Sequence, residues 1–172
     1  MTTQQLLLAN CAALALLGVT IYLTRATFRR VAGALAGGVA AALLNMEQDR
    51  FAYAAGWWQY PFVNTPHGPV LMYIVVVLWY GGGVALIGWR VTRRFGGWGL
   101  VAFIGLMGIY GPTRDYLGAA LTKAIIFAPG IIPVLADAAC WASGMALAQG
   151  VMRLTAGPAR ADRLARLPKA LV

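Results

Sequence analysis

Residues able to do acid–base chemistry gather in one stretch between apolar regions, Asn45 to Pro69, with the sequence NMEQDRFAYAAGWWQYPFVNTPHGP. It holds two of the chain's five acidic residues, Glu47 and Asp49, and the only histidine, His67. A carboxylic acid beside an aromatic wall can protonate an alkene, and the ring faces stabilise the resulting carbocation. We therefore predict catalytic roles for Glu47 and Asp49.

Aromatic side chains in the same stretch are predicted to contact the substrate, together with the histidine. The predicted substrate-binding residues are Tyr53, Trp57, Trp58, Tyr60 and His67. Tryptophan and tyrosine also concentrate at membrane interfaces because their rings are amphipathic, so a simple interfacial belt is the alternative for the aromatic residues. A histidine in a proline-rich loop is equally compatible with a structural role.

Composition indicates an integral membrane protein. Hydrophobic residues make up 60% of the 172 residues and charged residues 11%, and the mean hydropathy is +0.71. The net charge of +9 resides in short basic clusters between apolar runs, which is typical of membrane topology and argues against a nucleic-acid partner. Cys11 and Cys140 fall inside apolar segments, and we predict no disulfide, no metal site and no cofactor.

The elements that must position these residues are transmembrane helices. We predict an all-α, polytopic bundle of about five spans (residues 6–23, 31–46, 70–89, 98–110 and 131–152) as one domain over residues 1–154, followed by a basic cytoplasmic tail over 155–172. Because basic loops remain in the cytoplasm, the N-terminus is predicted to lie outside and the C-terminus inside, in the inner (cytoplasmic) membrane of the cell.

One apolar segment, residues 116–129, has two interpretations. It fits an interfacial or re-entrant helix, or a short sixth span. Six spans would export the basic tail against the positive-inside tendency, so five spans are predicted.

This topology brings two more acidic residues to the outer leaflet. Asp115 follows the fourth predicted span, and Asp137 lies about two turns, or ~10 Å, into the fifth. A carboxylate inside a membrane is costly and usually faces the bundle interior with a partner. We therefore predict catalytic roles for Asp115 and Asp137 as well, and burial of Asp137 beside Lys123 or Arg114.

The spacing Asp49-x6-Gly56-x-Trp58-x-Tyr60 resembles a pattern of the integral-membrane lycopene cyclase domain of bacterial and fungal carotenoid synthesis. The resemblance covers roughly residues 25–80. It implies a terpenoid-related helical membrane fold and a cyclase-like isomerase activity on a carotenoid. Where that family carries an acidic motif at the next helix, this chain has Pro66-His67-Gly68-Pro69, so another carboxylate would have to replace it.

Two functions follow as expectations. The first is acid-catalysed cyclisation or hydration of an isoprenoid lipid at the outer leaflet, with the bilayer and a hydrophobic isoprenoid or pigment ligand as partners. The second is a non-catalytic membrane subunit that binds lipid or pigment and packs against a larger complex, a second subunit or another copy of itself. The sequence leaves open whether the protein is an enzyme.

Overall fold

The computed structural model describes residues 2–63, 65–161 and 164, which are mostly helical. The elements in chain order are α1 (Thr3–Thr24), α2 (Phe28–Ala54), β1 (Trp58–Gln59), α3 (Val70–Val75), a π-helical segment (Val76–Val84), α4 (Ala85–Thr122), β2 (Ile126–Phe127) and α5 (Ile131–Ala156). The predicted all-α membrane class agrees with this architecture. The predicted tail begins inside α5, and most of it lies outside the described residues.

Threonine caps start the first two helices. Thr2 accepts a hydrogen bond from the backbone N–H of Gln5, whose side chain accepts one from the Thr2 backbone, so the two form a capping box. Thr27 accepts a bond from the backbone N–H of Arg30. Arg25 takes a left-handed conformation at the end of α1, which allows α2 to begin three residues later and run back along the bundle.

Residues 70–122 form one helical run that folds back on itself. At ~1.5 Å per residue a straight run of 53 residues would measure ~80 Å, more than twice the ~30 Å hydrocarbon layer. Gly96 interrupts the run with φ 71° and ψ −150°, a conformation that favours glycine. A Cβ atom on Gly88 would lie 2.6 Å from the Phe103 ring, so residues 85–95 and 97–122 are two arms of a helical hairpin.

Three helical runs are long and apolar enough to cross a membrane: Thr3–Thr24, Val70–Thr122 and Ile131–Ala156. They are compatible with a membrane protein. The number differs from the five spans predicted from the sequence, because residues 70–122 count as one run and because α2, which carries charged residues near both ends, is not among the three.

Close helix packing is concentrated on the glycines of α2. Gly37 meets the Ala148 backbone of α5, and Gly38 meets Gly81 of the π-helical segment. Neither contact leaves room for a Cβ atom, and small residues at such contacts let helix backbones approach closely in lipid. α2 is therefore held between α5 and the π-helical segment.

Residues 116–129 form neither a re-entrant helix nor a separate span. α4 continues to Thr122, and Lys123 ends it with a left-handed φ of 56°. The chain then forms β2, which pairs antiparallel with β1, so that Phe127 lies opposite Trp58 and Ile126 opposite Gln59. The loop after α2 and the loop after α4 are thereby joined at one end of the bundle.

Candidate functional site

A cavity of about 220 Å³ lies beneath these joined loops, at the end of the bundle where the acidic residues gather. Its wall includes three carboxylates and one guanidinium, from Asp49, Asp115, Asp137 and Arg114. Eight aromatic rings surround them: Trp58, Tyr60, Tyr73, Trp79, Tyr80, Tyr110, Phe127 and Trp141. The cavity is thus lined by charged side chains and by aromatic rings.

Asp49 ties the loop and two helices together. It is 2% exposed, and its Oδ1 accepts a hydrogen bond of 3.0 Å from Trp58 Nε1. Its Oδ2 accepts from the hydroxyls of Tyr60, at 3.0 Å, and Tyr73, at 2.5 Å. Both oxygens are therefore occupied by donors, which is how a buried carboxylate is stabilised.

Tyr60 belongs to the loop and is held as a donor to this carboxylate. Burial, followed by the negative charge of Asp49, raises the pKa of Tyr60 well above its usual value. The hydroxyl therefore keeps its proton at neutral pH.

His67 lies behind Tyr73 and does not line the cavity. Its Nδ1 donates to the carbonyl oxygen of Gly68 at 2.8 Å, and its ring centroid is 6.4 Å from that of Tyr73. The Gly68 N–H donates to the Tyr73 hydroxyl at 3.1 Å. The histidine loop therefore orients Tyr73, which in turn bonds Asp49.

Asp115 is satisfied by its neighbours. Its Oδ1 accepts from Arg114 Nη1 at 2.8 Å, and its Oδ2 accepts from Trp141 Nε1 at 2.8 Å. The Arg114 guanidinium also lies 5.3 Å from the centroid of the Trp141 ring, at cation–π distance. Asp115 and Arg114 form an ion pair supported by one tryptophan.

Asp137 differs from the other two carboxylates. It is 5% exposed, and its Oδ2 is buried without a hydrogen-bond partner among the residues that the structure describes. Of the predicted partners, Arg114 lines the same cavity, whereas Lys123 is exposed and does not. Asp137 is thus the one cavity carboxylate with a buried oxygen that receives no hydrogen bond from the described residues.

The predicted site residues separate into two groups. Asp49, Asp115, Asp137, Trp58 and Tyr60 line one cavity. The predicted residues that lie outside it are Glu47, Tyr53, Trp57 and His67.

Two of these outside residues have partners of their own. The Glu47 side chain is 65% exposed and pairs with Arg50 at 2.8 Å. The Trp57 ring packs edge-on against Phe51, with centroids 5.3 Å apart.

The sequence reasoning missed several lining residues on the later helices, above all Tyr73, Tyr80 and Trp141. Trp141 follows Asp137 by four residues, a spacing that places two side chains on one helix face, and this signal was available. Tyr80, whose hydroxyl donates to the Trp141 carbonyl oxygen, is a polar group inside an apolar run. Such a group needs a buried partner and is therefore also a sign of a site.

In residues 2–63, 65–161 and 164, no three histidine, cysteine, aspartate or glutamate side chains are placed so that they could hold one metal ion. Comparisons with protein families, with curated proteins and with solved structures gave no match for this chain. The chemistry of the site therefore has to be argued from its own geometry.

Proposed function

We propose that the protein is a multi-pass membrane enzyme that protonates the alkene end of an isoprenoid lipid and so catalyses its cyclisation or hydration. The observation that carries this proposal is the buried Asp137 carboxyl, which belongs to the lining of an aromatic cavity and has one oxygen without a hydrogen-bond donor among the described residues. Asp49 and Asp115 are occupied by protein donors and are assigned positioning roles.

The proposed reaction needs no co-reactant for cyclisation. The Asp137 proton adds to one alkene carbon, and the positive charge develops on the more substituted carbon. A second alkene of the same chain supplies the electron pair for the new carbon–carbon bond, and the Asp137 carboxylate takes up the proton that is then lost. In hydration, water supplies the oxygen and releases the proton. Ring faces of Trp58, Tyr80 and Trp141 stabilise the cation in either case.

Cavity size favours reaction at a chain end. Pockets that enclose a drug-sized ligand measure ~300–1,000 Å³, and this cavity measures about 220 Å³. A terminal isoprenoid group fits that space, and the rest of a long lipid would extend into the bilayer.

The cyclase-like sequence pattern forms one bonded unit, which supports an isoprenoid substrate. Trp58 and Tyr60 both donate to Asp49, and Gly56 has a φ of 71°, which favours glycine. The spacing therefore places two donors on Asp49 and a glycine at the left-handed position before them.

The test of this function is product formation from a panel of linear carotenoids and prenyl lipids, supplied to the purified protein in D2O. We expect a cyclised or hydrated product that contains one carbon-bound deuterium from solvent, because the acid exchanges its proton with water. Product without deuterium would exclude acid catalysis. Absence of product across the panel, with a stable partner protein in native purification, would favour the non-catalytic subunit.

The proposed topology has five spans. The end of the bundle that contains the cavity faces outside, and the end that carries the arginines faces the cytoplasm. The spans are residues 3–24, 28–54, 70–95, 97–122 and 131–156, so that Gly96 divides the longest run. The cavity carboxylates lie at one end, and the described helix ends and turn at the other end carry Arg25, Arg29, Arg90, Arg93, Arg94 and Arg153. The positive-inside tendency supports this orientation.

Cysteine labelling of intact cells checks the orientation. In a variant that lacks Cys11 and Cys140, we expect an impermeant maleimide to label Thr65→Cys directly and Pro158→Cys only after permeabilisation. Both positions are exposed in the structure, so neither is shielded by packing. The opposite pattern of labelling would reverse the orientation, and labelling of both sites from outside would exclude an odd number of spans between residues 65 and 158.

A further inference from the structure

We infer that the cavity is also a binding site for an organic ammonium group on a short apolar chain. The inference rests on the proposed function, in which Asp137 becomes a carboxylate facing a positive charge once its proton has been transferred to the alkene. Three carboxylates face one guanidinium there, so the wall carries an excess of acidic groups. An ammonium ligand has the positive charge that such a wall stabilises.

The first supporting observation is the free oxygen of Asp137. The Asp49 and Asp115 oxygens are occupied by side-chain donors from the protein itself. Asp137 Oδ2 is buried with no partner in the described part of the chain, and an unpaired buried acceptor is costly. A cation beside this carboxylate would offset that cost by its charge.

The second observation is the aromatic wall of the cavity that Asp137 lines. Trp141 lies four residues after Asp137 on α5, and its ring meets Tyr80 and Tyr110 edge-on, with centroids 4.7 Å and 5.8 Å apart. Arg114 already lies 5.3 Å from the Trp141 centroid, which shows that this ring accepts a cation at its face. Carboxylates and ring faces together are the groups that bind quaternary ammonium ions.

The probe is hexyltrimethylammonium, whose chain and head are small enough for the cavity. Titration into the purified protein in a non-ionic detergent is followed by tryptophan fluorescence, since Trp58, Trp79 and Trp141 line the cavity. We expect saturable binding of the cation and no saturable binding of hexyl sulfate, which has the same chain and the opposite charge. Equal binding of the two probes would overturn the inference.

Two variants locate the binding site. Asp137→Asn is expected to weaken the affinity for the cation about tenfold or more, because it removes the carboxylate that pairs with it. Arg114→Gln is expected to strengthen the affinity about threefold, because it removes a competing cation. Arg50→Gln is the matched control: it makes the same substitution outside the cavity and should leave the affinity unchanged.

These outcomes separate the inference from the proposed function. Saturable cation binding without product from any lipid would leave the ammonium site standing and exclude the proposed catalysis. Product formation without cation binding would exclude the ammonium site alone. An affinity that neither Asp137→Asn nor Arg114→Gln alters would place the probe elsewhere and overturn the inference.

Discussion

Replacing Asp137 with asparagine is expected to lower the rate of product formation by roughly 10²–10⁴-fold, the usual contribution of a general acid. The amide fills the same volume but has no acidic proton to give to an alkene. Folding should persist, because Asp137 Oδ2 has no hydrogen bond to lose within the described residues. The measurement is the initial rate of deuterium-labelled product, with the melting temperature of each variant determined in parallel.

Two further substitutions make this result specific. Asp137→Glu keeps an acidic proton at a shifted position, so part of the rate should return. Asp49→Asn leaves donors from Trp58 and Tyr73 facing an amide, and it should reduce stability as well as rate. A wild-type rate in Asp137→Asn, with the rate lost in a stably folded Asp49→Asn, would transfer the acid role to Asp49.

Substitution of Gly81 by alanine is expected to destabilise the protein by about 3 kcal/mol, at the upper end of the usual cost of overpacking. A Cβ atom there would overlap the Cα atom of Gly38. Backbone cannot move aside by changing a rotamer, so α2 and the π-helical segment would have to separate. The measurement is the free energy of unfolding by SDS titration from a mild detergent.

Gly105→Ala is the matched control for this prediction. Gly105 lies within α4, and a Cβ atom there would have no described atom within 4 Å. Alanine also favours a helix more than glycine does, so the stability should stay equal or rise slightly. Equal stability of Gly81→Ala and Gly105→Ala would mean that the two backbones do not approach as closely as described.

The sequence predicted α1 and α5 well because long apolar runs form helices in lipid, and these two helices extend the predicted spans by only a few residues. It did not predict how far α2 continues. α2 runs to Ala54, so Glu47 and Asp49 are both helical. Positions separated by two residues are ~200° apart around a helix. The Glu47 side chain is therefore exposed, and the Asp49 side chain faces the cavity.

The same reasoning explains the aromatic residues. Neighbouring side chains in extended backbone point to opposite sides, so Trp58 and Tyr60 both reach Asp49 while Trp57 packs outside the cavity. The composition of the stretch indicated aromatic chemistry, but which rings face inward depends on the pairing of β1 with β2. That pairing joins segments almost 70 residues apart and has no local signal in the sequence.

The π-helical segment Val76–Val84 sets the rotational phase between two parts of one helical run. A π turn holds one residue more than an α turn, and one residue corresponds to ~100° of rotation in an α-helix. On one side Tyr73 bonds Asp49, and on the other the Ala85 carbonyl oxygen accepts from Gln149 Nε2 at 2.7 Å. A change of this segment to α-helical bonding would rotate one of these contacts out of alignment. The π-helical segment therefore fixes the rotation at which the contact near the loops and the contact in the core can form together.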